Sequence, residues 1–176
     1  VLCVDVGGGS TEMTVGHGSR IYLATSIAVG GLSINRRLSR STAVSANAVR
    51  KAVAFIERRF SEAMIPVQSL GFGRAVATGG TIQRLAHIVK HHRNLPDLNI
   101  DGMALTSKEI EHCCSVIRAA KSGAARRDIP GMDPTRADHL LGGALVFRSL
   151  GHRLGIDVWT VSMSAMRTGV LVAPAW

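Results

Sequence analysis

The chain has 176 residues, a formal net charge of +9 and a sequence pI near 10.7, with 46% hydrophobic and 19% charged residues. That length accommodates one domain with its own core, here residues 1–176, and is too short for the two lobes of a usual cleft enzyme. No apolar run approaches the roughly 20 residues of a membrane helix. Only 4% of residues are aromatic and the arginines fall in scattered pairs, so neither a membrane nor a nucleic acid is expected as partner.

Residues 1 to 29 read as three strands, because Val4 and Val6, Met13 and Val15, then Ile21, Leu23, Ile27 and Val29 recur at a period of two. Connections this short require antiparallel neighbours. From Val44 to Phe60 the apolar residues follow helical spacing, and Pro66 is expected to close the segment. Arg74 to Thr78 is a short strand running through Gly79-Gly80 into a helix carried by Ile82, Leu85, Ala86 and Val89. Asn94 to Gly102 reads as a loop, and Thr106 with Glu109 forms a capping box for the helix of Ile110, Cys113, Cys114 and Ile117. Gly123 to Gly131 breaks the pattern, Asp133-Pro134 is expected to start a helix, and Leu140, Leu141, Ala144 and Leu145 form its buried face, ended by Gly151 and Gly155. Ile156 to Val161 is a last strand and Met163 to Val172 a closing helix. The fold class is α/β, a mixed sheet of three antiparallel strands followed by parallel ones, with helices on both faces.

Cys3, Cys113 and Cys114 cannot build a disulfide framework, which points to a reducing, cytoplasmic setting. The chain opens at Val1 directly in a strand, so an upstream part is expected to be missing. The positive charge favours polyanions, phosphorylated small molecules among them.

Two glycine elements are the candidates for chemistry. Gly7, Gly8 and Gly9 between strands let the backbone approach a ligand and turn N–H groups inward as an anion nest, with Ser10 and Thr11 adding hydroxyls; a plain tight turn uses the same residues. Asp5 repels phosphate directly, so it acts through Mg2+ or water, or else only forms the turn. Thr78-Gly79-Gly80-Thr81 places a helix N-terminus, with Gly79, Gly80 and Thr81, beside an anion, although any strand-to-helix connection can look like this. Glu12, on the same strand face as Ser10, is a candidate base or a holder of backbone or cation. His87 and His91 have metal-compatible spacing, but without a third ligand a solvated basic helix end is the favoured reading.

Four segments carry a family resemblance: VDVGGGSTEM from Val4 to Met13, ATGGTIQRL from Ala77 to Leu85, RADHLLGGAL from Arg136 to Leu145, and VSMSAMRTGVL from Val161 to Leu171. Together they resemble the exopolyphosphatase and guanosine pentaphosphate phosphohydrolase family, of the actin, heat-shock 70 and sugar-kinase superfamily. The resemblance implies a ribonuclease H-like (actin-like ATPase) lobe, the second of two, release of terminal phosphate from inorganic polyphosphate or guanosine pentaphosphate with Mg2+, and polyphosphate or guanosine penta- or tetraphosphate as binding partners. It places the catalytic glutamate and first phosphate motif in the missing N-terminal lobe, which becomes a partner, as does a second copy in a possible homodimer. A non-catalytic module sensing polyphosphate or a guanosine alarmone is the alternative, and a sugar-kinase-like lobe a third reading. Gly30-Gly31-Leu32-Ser33-Ile34 stands where many members carry an arginine in Gly-x-Val-Arg-Leu, so a phosphate-facing cation is expected to be absent there. Arg167 survives as phosphate ligand or ion-pair partner, and Thr168 replaces the glutamate that usually follows.

Overall fold

The computed structural model describes residues 1–38 and 43–164. Strands β1 (Leu2–Val6), β2 (Thr11–His17) and β3 (Arg20–Ile27) form an antiparallel meander, with Val6 opposite Thr11 and Ile27 opposite Thr11 on its other side. On its other edge β1 pairs in parallel with β4 (Ala75–Thr78), placing Asp5 opposite Thr78. Strand β6 (Val158–Val161) continues the parallel half, and β5 (Ala104–Thr106) closes the sheet antiparallel to it. The order is β3-β2-β1-β4-β6-β5.

Strand alternation sends Leu2, Val4, Val6, Met13, Val15, Ala77, Trp159 and Val161 to a buried face. The helices α1 (Gly31–Asn35), α2 (Ala46–Phe60), α4 (Gly79–His92), α5 (Ser107–Ala119) and α7 (Leu140–Leu154) add their apolar stripes to that face as one core cluster. Two short helices, α3 (Met64–Leu70) and α6 (Gly123–Arg127), complete the set among the described residues. Phe147 meets Trp159 edge to face, with ring centroids 5.3 Å apart. The other face, with Cys3, Asp5, Glu12 and Thr14, stays half-exposed among the described residues. The helix expected over Met163 to Val172 falls outside them from residue 165 onward, as does Arg167.

Several boundaries differ from the sequence reading, each for a local reason. Pro66 does not close α2, which ends at Phe60; it lies in the first turn of α3, where a missing N–H costs nothing. Asp133-Pro134 opens a run of turns, not α7: the Asp133 carboxylate accepts from Thr135 N–H at 2.9 Å, and α7 begins only at Leu140. That helix runs through Gly151 and ends at Gly155, whose φ of 65° makes it a left-handed cap. The third strand stops at Ile27, and the glycine pair after Val29 starts α1 instead. Strand β5 and helix α6, at three and five residues, are too short for periodicity to reveal.

The Thr106 and Glu109 capping box forms as expected. Burial by itself would raise the Glu109 carboxyl, but hydrogen bonds from Arg93 and from Thr106 hold it down to about 2. Cys113 and Cys114 are both buried, and burial pushes each thiol up to about 12, so neither is reactive.

Helix α7 carries Gly142 and Gly143 in its interior, where glycine costs about 1 kcal/mol relative to alanine. Their use is close approach. A β carbon at Gly142 would collide with the Gly31 carbonyl of α1, and one at Gly143 with the Thr81 side chain of α4. Gly142→Ala is therefore expected to destabilise the fold by about 1–3 kcal/mol through overpacking, despite the better helix propensity. Urea unfolding checks this, and an alanine variant at least as stable as the parent would refute it.

Candidate phosphate cleft

Strands β1 and β4 are parallel neighbours, so the turns that follow them emerge at the same sheet edge. After β1, Gly7 N–H donates to Ser10 C=O at 3.0 Å and closes the hairpin. The carbonyls of Gly7 and Gly8 turn toward α1 and accept from Gly31, Leu32 and Ser33 N–H at 2.8, 2.9 and 3.1 Å. These bonds satisfy the free donors of α1, a task that otherwise needs a side-chain cap. The N–H groups of Gly8, Gly9 and Ser10 make no hydrogen bond among the described residues.

After β4, Thr78 is the N-cap of α4 in extended conformation, yet its side chain does not cap the helix. The hydroxyl donates instead to Asp5 Oδ2 at 3.2 Å. The first N–H groups of a 14-residue helix are thereby left for a ligand, together with the partial positive charge of the helix end. Thr81 fastens this turn to β1 by donating to Val6 C=O at 2.8 Å.

The two turns face a cleft of about 190 Å³ whose lining includes Gly7, Gly8, Gly80, Thr81, Arg84, Arg136 and His139. The Arg84 guanidinium is held twice, by Asp133 at 3.0 Å and by the Gly80 carbonyl at 2.8 Å. Hydrogen bonds from Thr135, and then from Arg84, hold the Asp133 carboxyl down to about 2, so the clamp stays ionised throughout the neutral range. Arg136 is exposed at the rim and makes no ion pair among the described residues. The His139 carbonyl accepts from Asn35 Nδ2, and Asn35 Oδ1 accepts from Gly142 N–H at 3.1 Å, which fixes this rim to α1 and α7. Among the described residues, no carboxylate lines the cleft.

Gly7, Gly8, Gly80 and Thr81 thus lie together on the cleft wall. Gly9 and Ser10 stand at the hairpin tip beside it, Gly9 exposed. Thr11 is fully buried, and its hydroxyl is spent on the Val29 carbonyl at 2.6 Å. Gly79 packs against Asp5 at a φ of 83°. Asp5 is half-buried: burial raises its carboxyl, the Thr78 hydroxyl lowers it, and the Glu12 charge raises it again. Glu12 faces Asp5 across the β1–β2 ladder and accepts from Ser26 Oγ at 2.8 Å. Neighbouring carboxylates that repel each other suit a cation, and Mg2+ takes one or two of them with water and phosphate oxygens as the rest. No cluster of three metal-ligating side chains exists among the described residues, so His87 and His91 gain no third ligand.

The sequence reading assigned no role to Arg84, Arg136 or His139. Arg84 had a signal, a cation one turn inside the helix that starts at Gly79. Arg136 and His139 reach the cleft only through tertiary folding. The Gly30 to Ile34 segment contributes Gly31 and Leu32 to the wall and no cation, and Arg84 and Arg136 supply the positive charge from elsewhere.

This sheet order, with glycine turns at the ends of adjacent parallel strands, defines a mixed α/β domain of the actin-like ATPase fold. The chain belongs to the Ppx/GppA phosphatase family, whose model matches residues 1–175. It is 27% identical over 179 residues to Exopolyphosphatase 2 of Mycobacterium tuberculosis, covering 99% of this chain and 55% of that protein. It is 23% identical to the Guanosine-5'-triphosphate,3'-diphosphate pyrophosphatase of Vibrio cholerae, over 97% of this chain and 33% of that protein. Among solved structures, the Aquifex aeolicus PPX-GPPA enzyme superposes with a TM-score of 0.85 at 24% identity, covering 98% of this chain and 56% of its own. The chain therefore spans from about a third to just over half the length of these relatives. No described helix is long and apolar enough to cross a membrane.

Proposed function

We propose that this chain is the phosphate-binding second lobe of a phosphoanhydride hydrolase that releases terminal phosphate from inorganic polyphosphate or guanosine pentaphosphate. The observation that carries the reading is the convergence of two uncapped glycine turns and two guanidiniums on one cleft that has no carboxylate among its described lining residues. Phosphoryl transfer needs positioning and charge neutralisation above all. The N–H groups of Gly8, Gly9 and the α4 terminus bind phosphoryl oxygens, and Arg84 and Arg136 neutralise them. Asp5 and Glu12 would hold Mg2+, which supplies further neutralisation of phosphate charge when bound. The base that activates water belongs to a first lobe outside this chain, in keeping with the carboxylate-free lining and the partial coverage of the relatives. Three free cysteines suit a cytoplasmic setting.

Calorimetric titration with tripolyphosphate and Mg2+, paired with a phosphate-release assay, tests both halves of this reading. Saturable binding without release above the blank is expected. Absence of binding would sink the phosphate assignment, and substantial release by the chain alone would overturn the placement of the base.

A further inference from the structure

A second pit, sharing no lining residue with the phosphate cleft, opens between α2, α5 and α7 and holds about 170 Å³. Helical spacing builds two of its walls. Glu111, Cys114, Ser115 and Arg118 recur at three, four and seven residues along α5, and Leu141, Leu145 and Arg148 at four and seven along α7, so each set is one stripe. The α5 stripe is small at its middle. Cys114 and Ser115 leave space there that a leucine would have filled. The floor is apolar: Leu141, Leu145 and Cys114 are buried, and Val49 closes the α2 side.

The rim is charged. Arg118 is exposed and makes no ion pair among the described residues, while Arg148 donates one Nη1 bond to Glu111 Oε1 at 3.3 Å. Two guanidiniums thus stand against one carboxylate, which leaves one positive charge above an apolar floor. Water fits such a floor poorly, because an ordered water needs two to four polar partners. Inorganic phosphate would lose hydrogen bonds there that nothing on the floor replaces. A dry apolar cavity of about 150 Å³ takes a benzene ring, so the volume suits one ring. The Cys114 sulfur is a favourable contact for a ring edge. Burial keeps that thiol protonated, and no thiolate opposes an anion at the rim.

We infer that the pit between α2, α5 and α7 binds a small monocarboxylate with a ring-sized apolar body. The ring lies on Leu141, Leu145 and Cys114. The carboxylate meets Arg118 and those N–H groups of Arg148 that Glu111 leaves unused, since a guanidinium carries five donors. This site goes beyond the proposed function and does not depend on it, because the two cavities have no residue in common.

The test is calorimetric titration of the chain with benzoate and with benzamide, its neutral counterpart. Benzoate should bind at one site with a Kd of about 1 mM or tighter. Benzamide should bind at least about tenfold more weakly, because it forms no charge-assisted bond with the guanidiniums. Arg118→Gln should weaken benzoate about tenfold and leave benzamide unchanged. Ser115→Phe, at an exposed position of α5, fills the mouth and should abolish binding of both ligands while the far-ultraviolet circular dichroism stays parental. Absence of saturable benzoate binding at about tenfold above that concentration overturns the inference. Parental benzoate affinity in Arg118→Gln, or equal affinity of the parent for the two ligands, overturns the carboxylate assignment. Parental affinity in a folded Ser115→Phe variant, or displacement of benzoate by tripolyphosphate, places the ligand outside this pit and overturns the site.

Discussion

Replacing Gly79 with alanine is expected to abolish tripolyphosphate binding and to lower fold stability by about 1–3 kcal/mol. Two independent effects add. The residue sits at a φ of 83°, which an L side chain adopts only under strain. Its new methyl group would also strike the Asp5 carboxylate, which lies directly against the glycine. Asp5 would have to swing away from the Thr78 hydroxyl and from its place opposite Glu12, and the first turn of α4 would move with it. Urea unfolding measures the first loss and calorimetry the second. An alanine variant with parental stability and affinity would show that Asp5 and the turn move apart without cost.

Arg84→Gln should weaken tripolyphosphate binding by about ten- to a hundredfold, because a charge-assisted hydrogen bond contributes roughly 1.5–3 kcal/mol. Stability should change by less than about 1 kcal/mol, since the ion pair with Asp133 is partly exposed and such pairs contribute little. Lysine is a poor substitute. It carries the charge but cannot hold Asp133 and the Gly80 carbonyl at once with a planar fork. Arg84→Lys is therefore expected to resemble Arg84→Gln in affinity, and a variant with parental affinity would show that Arg84 acts as a point charge.

The parts of this molecule that were legible in its sequence are those whose signal is local. Alternation in Leu2–Val6 and Thr11–His17 gave the meander, and the helical period of Ala46–Phe60 gave α2. The glycine runs after Val6 and Thr78 marked two turns, and the sheet order brings both to one edge. What escaped depends on contacts between distant residues. The Thr11 hydroxyl reads as a ligand until the Val29 carbonyl is seen to accept its hydrogen bond. Asp133-Pro134 has the chemistry of a helix start, but its carboxylate is engaged by Thr135 and Arg84. Arg136 and His139 lie in one of the four family-like segments, but only the tertiary fold shows that they line the cleft. The interior glycines of α7 read as weak helix formers until α1 and α4 are found against them.

The bonds that shape the cleft join residues far apart along the chain: Thr78 to Asp5 across 73 positions, Thr81 to Val6 across 75, Asn35 to His139 across 104. Each such closure is entropically slow, and partial structures would lack one wall or the other. An anion that fits this cleft can therefore recognise only a chain that has finished folding. The ligand is in effect a thermodynamic inspector of the native state, holding completed molecules in place by mass action and leaving incomplete ones unbound.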